Sequence, residues 1–162
     1  MTVALSAQAN ALIELQHIQL ELENGRDQHL RHFVDQYYCY KQGFTKRKSG
    51  RADWESIVWK GLVSREARQL TDRRQVVKEH VVPLKVITRK LVELAASGAP
   101  TCKSISGLLD QYLRFATISK REDRRLRKAG LTSKMPVGFD IEGHPLHNDI
   151  LCRYAAVGIM LK

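Results

Sequence analysis

Glu79-His80-Val81-Val82-Pro83-Leu84 brings together residue types that can move a proton beside a bound cation. A histidine near its ordinary pKa accepts a proton from water at neutral pH. A carboxylate next to it can hold a divalent ion, provided further oxygen or imidazole ligands converge from other elements. Two such sources lie downstream, the acidic pair Glu122-Asp123 and the run His144-Pro145-Leu146-His147-Asn148 with Cys152 beyond it. His144 and His147 have the spacing of a metal-binding pair, although Gly143 and Pro145 also mark that run as an ordinary turn. His29 and His32, three apart on an amphipathic helix, read as surface residues. The chain holds no P-loop, no G-x-G-x-x-G and no nucleophile elbow.

The acidic–histidine–apolar–apolar–proline order resembles the first motif of the HNH, or ββα-metal, nuclease superfamily. That resemblance implies a strand ending at His80, a second strand, and a helix that presents another metal ligand. It implies His80 as general base, Glu79 as a metal ligand and phosphodiester hydrolysis as the reaction, with the metal neutralising phosphate charge. Arg114 to Ile118 is the candidate second strand, and the following helix carries Glu122 and Asp123. Asp123 then takes the ligand position on the helix, with His144 and His147 as further ligands if their loop folds back. The order departs from the family in three ways. Two helices separate the candidate strands, the Asn and final His are not at their customary spacing, and the flanking cysteine pairs are absent. The competing structural reading leaves His80 hydrogen-bonded in a strand and Glu79 paired with Lys78 or an arginine.

The elements that must position these residues follow from periodicity. Residues 4–24 carry Leu5, Ala9, Leu12, Leu15, Ile18 and Leu22 at helical steps, and Asn24-Gly25 supplies a left-handed stop. A second helix from an Asp27 cap to about Tyr40 completes a hairpin. Lys41 to Gly50 reads as a basic loop, and a helix is expected over 54–70 on Trp54, Ile57, Val58, Leu62 and Val63. Val76 to Val82 is β-branched and short, hence a strand, and Pro83 opens a helix running to Ala96. Ser104 to Leu113 is a further short helix. Ser119 and Glu122 form the S-x-x-E capping box of a helix that ends at Ala129-Gly130. Residues 131–148 are loop, and 149–161 close as a short apolar element. The fold class expected is mainly α with a small β component (α+β), a helical hairpin beside a core that contains a two-stranded ββα-like unit. The expected domains are an arm, 1–40, and a basic core, 41–162, in one compact body.

Charge separates the same regions. The chain carries a net +10, and residues 41–90 alone hold 14 Lys and Arg against 5 acidic residues, while residues 1–40 hold 2 against 5. A basic block of this size points to a polyanion, nucleic acid first and DNA ahead of RNA. The expected contacts are Lys46, Arg47, Lys48 and Arg51 in the basic loop, Arg65, Arg68, Arg73 and Arg74 after it, and Arg121, Arg124, Arg125 and Lys128 on the capped helix. The three cysteines are widely spaced and form no Cys-x-x-Cys pair, which fits reduced thiols and a cytoplasmic location. Met1 to Asn24 lacks the pattern of a secretory signal, and no apolar run is long enough for a membrane span.

Three readings follow. The first is a metal-dependent endonuclease with His80 as base, Glu79 and Asp123 as ligands, and Mg, Mn or Zn as its ion. The second is a non-catalytic DNA- or RNA-binding protein, including a degenerate nuclease fold. The third is a helical interaction or inhibitor module with a basic face. Homodimerisation through residues 4–40 is compatible with each.

Overall fold

The structure is a computed structural model that describes residues 5–162. The described residues form six α-helices and one three-stranded sheet, an α+β fold that is mainly helical. They divide into two compact units, neither continuous in sequence. One comprises the residues up to Ile57 with Ile87–Gln111, the other Val58–Val86 with Tyr112–Lys162. This division does not fall at residue 40.

In the first unit, α1 (Ala7–Glu23) is capped by Ser6, whose side chain accepts from the Ala9 amide at 3.1 Å. It stops at Asn24, followed by Gly25 at φ 64°. The expected start at residue 4 lies outside the described residues. Helix α2 (Leu30–Gln42) packs against α1, as expected of a hairpin, and ends at the left-handed Gly43. Asp27 is not its side-chain cap; the capping position is His29, and only the Asp27 carbonyl is used, by the Leu30 amide. Leu15, Ile18, Leu22, Leu30, Val34 and Tyr37 are buried from these helices. Leu5, Leu12 and Leu20 of the same region are exposed. Helix α3 (Leu84–Ala96) starts in the second unit and continues into the first, where α4 (Cys102–Tyr112) meets α2 through a Tyr37–Ser106 hydroxyl bond of 3.0 Å and a Lys41–Asp110 ion pair. The basic loop is a turn closed by a Thr45–Ala52 bridge and by the Lys46 amide on the Arg51 carbonyl.

The second unit holds the sheet, in the order β1 (Leu62–Val63), β3 (Phe115–Ser119), β2 (Val76–His80). β2 runs antiparallel to β3, and β1 runs parallel to it. The expected two-stranded unit therefore has a third, very short strand. Its residues come from the segment expected to be a helix, 54–70, which instead forms two 3₁₀ turns around β1. Trp59 (φ 59°) and Gly61 (φ 77°) are left-handed and break the helix between them. Their apolar neighbours Val58, Val63 and Ala67 pack with Val76 on one face of the sheet. On the other face, Val81, Ala116 and Ile118 pack with Leu126 of α5 (Lys120–Lys128) and with Tyr154 of α6 (Cys152–Ala155). No helix of the described residues is long and apolar enough to cross a membrane.

Candidate nucleic-acid interface

Strand alternation decides what Glu79 and His80 can meet, because successive side chains point to opposite faces. Glu79 faces the α5 side, and its Oε1 accepts from Arg153 Nη2 at 2.6 Å. Arg153 has no exposed surface at all. Its Nε donates to the Val81 carbonyl and its Nη1 to the Leu131 carbonyl, each at 2.8 Å, and Nη2 also reaches the His80 carbonyl. The guanidinium thus ties the end of β2, the loop after α5 and α6 together. The Tyr154 hydroxyl stands 3.1 Å from Nη2, and burial pushes its pKa well up, so it stays a neutral partner. His80 points to the opposite face, its ring 4.3 Å from that of Phe115.

The strand register separates the remaining parts. His80 lies opposite Phe115, while Ser119, which starts α5, lies opposite Val76 at the other end of the pair. Four residue steps of about 3.3 Å put those ends ~13 Å apart. Asp123, one turn into α5, binds Arg127 at 2.9 Å. The structure does not bring the four expected metal ligands into one donor group, and no cluster of three or more His, Cys, Asp or Glu that could hold a metal ion occurs among the described residues. The donor set does not fit a preformed divalent site: Glu79 is committed to Arg153 and Asp123 to Arg127.

His144 and His147 are used by their own loop. Nδ1 of His144 accepts from the Leu146 amide at 3.0 Å, and Nε2 of His147 is 3.1 Å from Asn148 Nδ2. Asn148 (φ 56°) in turn accepts from the Tyr112 hydroxyl at 2.6 Å. The His144 ring lies on buried Gly138, where an added Cβ would stand 2.0 Å from Nδ1. Gly138→Ala must push that ring aside and break the bond to Leu146, at a cost of about 1–3 kcal/mol. Thermal melts should show the loss, and adding His144→Ala should recover most of it. Equal melting of wild type and Gly138→Ala would contradict this packing.

Helix α5 carries the cationic surface, and its capping box forms as expected. The Ser119 hydroxyl accepts from the Glu122 amide at 3.0 Å, and Glu122 Oε2 accepts from the Ser119 amide at 2.8 Å. Ser119 also donates to Glu66 Oε1 at 2.6 Å, and Ser64 donates to the buried Glu122. Ser119→Ala removes the cap and leaves Glu66 short of a donor, so about 1–2 kcal/mol of stability should be lost in denaturant melts; an unchanged midpoint would rule the cap out as a contributor. With Glu122, Asp123 and Leu126 buried, the outer face presents Lys120, Arg124 and Lys128 at i, i+4 and i+8. All three are exposed and form no side-chain hydrogen bond or ion pair among the described residues. At 1.5 Å per residue the row is ~12 Å long.

Beside this row an open cleft of about 330 Å³ is lined by Arg65, Glu66, Arg121, Glu122, Arg125 and Met160, among others. Arg121 grips Glu66 with Nε at 3.0 Å from Oε1 and Nη2 at 2.7 Å from Oε2. That guanidinium holds the Glu66 carboxyl below its ordinary range against the opposing effect of burial, and the Ser119 hydroxyl adds a smaller push in the same direction as Arg121. Arg125 lies 3.9 Å from Glu66 and 3.6 Å from Glu122. Of the other expected contacts, Arg68 donates to the Lys162 carbonyl at 2.7 Å, Arg73 to the Val76 carbonyl at 3.1 Å, and Arg74 forks onto Asp72. Lys46, Arg47, Lys48 and Arg51 are exposed on the first unit. Sequence reasoning missed Arg153, Glu66 and Ser64. The one signal for Arg153 was a lone cation in the otherwise apolar stretch from Ile150 to Leu161.

The units differ sharply in charge. The second holds 17 Lys and Arg against 8 acidic residues, net +9, and the first holds 10 against 9, net +1. Comparison with protein-family models, with curated proteins and with solved structures gave no match for this chain.

Proposed function

We propose that this protein binds nucleic acid without cleaving it, and that the second unit meets the phosphate backbone through the outer face of α5. The observation that carries this reading is the concentration of nine of the ten net positive charges on one unit, with a row of exposed cations along a single helix. Phosphate neutralisation by such a row releases counterions, which makes affinity fall steeply with salt. The Glu79–Arg153 pair favours binding over hydrolysis, because the acidic residue of the nuclease-like motif serves as an anchor for the sheet. Exposed Leu5, Leu12 and Leu20 support pairing of two copies through residues 4–40, which would double the cationic surface.

The test is binding of duplex DNA, single-stranded DNA and RNA across a salt series, beside plasmid incubation with Mg²⁺, Mn²⁺ or Zn²⁺ and with chelator. Salt-dependent binding that survives His80→Ala, without cutting, is the expected outcome. Metal-dependent cutting lost in His80→Ala would establish the endonuclease instead. Absence of any salt-dependent binding would leave the interaction-module reading in its place.

A further inference from the structure

The cleft beside α5 holds more positive charge than its ion pairs consume. Glu66 is shared between Arg121 and Arg125, and Arg65, exposed on the same wall, has no ion pair among the described residues. Nε of Arg125 is shielded from solvent and donates to nothing among the described residues. A carboxylate gripped through two parallel N–H bonds presents to arginine the same oxygen pair that a phosphate presents. Arg121 is mostly exposed, its side chain 72% accessible, so its pairing with Glu66 is weak in water and open to exchange.

We propose that this cleft receives one phosphate group of the bound nucleic acid, with the Glu66 carboxylate as a resident stand-in that yields Arg121 when the phosphate enters beside Arg65. The proposal rests on the nucleic-acid reading above and adds a specific device to it. Glu66 restrains affinity, because each phosphate seated here must first displace a carboxylate. The row on α5 needs no such exchange. The shared chemistry is the phosphate oxyanion, which an internal phosphodiester or a terminal phosphomonoester can supply.

The experiment is fluorescence anisotropy of labelled DNA oligonucleotides over a salt series with wild type, Glu66→Gln and Arg65→Ala. Glutamine keeps an acceptor for Ser119, and Arg65 is exposed, so melting curves will verify that both variants fold. Glu66→Gln should steepen the slope of log affinity against log salt by about 0.9, which is close to an eightfold gain at 0.1 M salt, and Arg65→Ala should flatten it by a similar amount. Unchanged slopes in both variants, while wild type binds with a steep slope, would overturn the proposal and leave the binding function standing. No salt-dependent binding by wild type would overturn both. Oligonucleotides with a 5′-phosphate and a 5′-hydroxyl distinguish the sources. Equal binding assigns an internal phosphodiester to the cleft. Binding favoured by the 5′-phosphate, and competed by inorganic phosphate, assigns the terminal group.

Discussion

Arg153→Ala should cost about 3–5 kcal/mol of stability, a large share of the 5–15 kcal/mol typical of a folded domain. The guanidinium has no exposed surface, and its removal leaves the carboxylate of Glu79 and the carbonyls of Val81 and Leu131 without this donor, while the His80 carbonyl keeps only a long 3.4 Å bond from the Tyr154 hydroxyl. Each group so stranded carries its own desolvation penalty. For a chain of this size the loss corresponds to a melting temperature lower by roughly 6–20 °C. Glu79→Ala should cost less, since the guanidinium keeps its carbonyl partners, and Glu79→Ala added to Arg153→Ala should cost little more than Arg153→Ala alone. A melt of Arg153→Ala within a degree or two of wild type would mean that the buried network contributes nothing net. His80→Ala touches none of these side-chain bonds and serves as the comparison.

The largest effect on binding is expected from Lys120→Ala, Arg124→Ala and Lys128→Ala made together. Three phosphate contacts at about 0.9 each predict a salt slope flatter by ~2.7 and a binding loss of two to three orders of magnitude near 0.1 M salt. The fold should not suffer, because the three side chains are exposed and alanine is the best helix former. The companion variant replaces Lys46, Arg47, Lys48 and Arg51, which removes one more charge but from the first unit. If the loop variant weakens binding as much as the helix variant, the footprint extends to the first unit and net charge governs affinity. Wild-type binding by the α5 triple variant would remove α5 from the interface.

Two helix boundaries were legible because neighbours in the chain decide them, although the same local logic put the cap of α2 at Asp27 where the structure has His29. Ser119 and Glu122 cap α5 because both partners lie within one turn, and Asn24-Gly25 stops α1 for the same reason. Val76 to His80 and Phe115 to Ser119 form strands within a residue or two of the expected bounds. Segment 54–70 misled because its apolar residues keep helical spacing, while Trp59 and Gly61 adopt left-handed angles that spacing does not reveal. The site was less legible than the fold. Periodicity says nothing about register, and register is what places His80 and the start of α5 at opposite ends of one strand pair. An acidic residue before a histidine also looks the same whether its partner is a cation in solution or an arginine 74 residues away. Lys120, Arg124 and Lys128 could be placed on one helix face from spacing alone; that Arg121 and Arg125 would be held by Glu66 could not.

The second unit is assembled from two stretches, Val58–Val86 and Tyr112–Lys162, and this has a consequence for how the protein is made. Neither stretch contains both halves of the Glu79–Arg153 bond, and β3 joins β1 and β2 only across the same gap. At about 5–20 residues per second, the ribosome leaves Glu79 waiting several seconds for its partner. For about the first half of that interval, until Phe115–Ser119 has been made, the β-branched residues of β2 have no neighbouring strand to pair with, which exposes the nascent chain to aggregation. A single cut between the stretches yields two fragments that each lack a complete core, so the basic half cannot be isolated by truncation from either side.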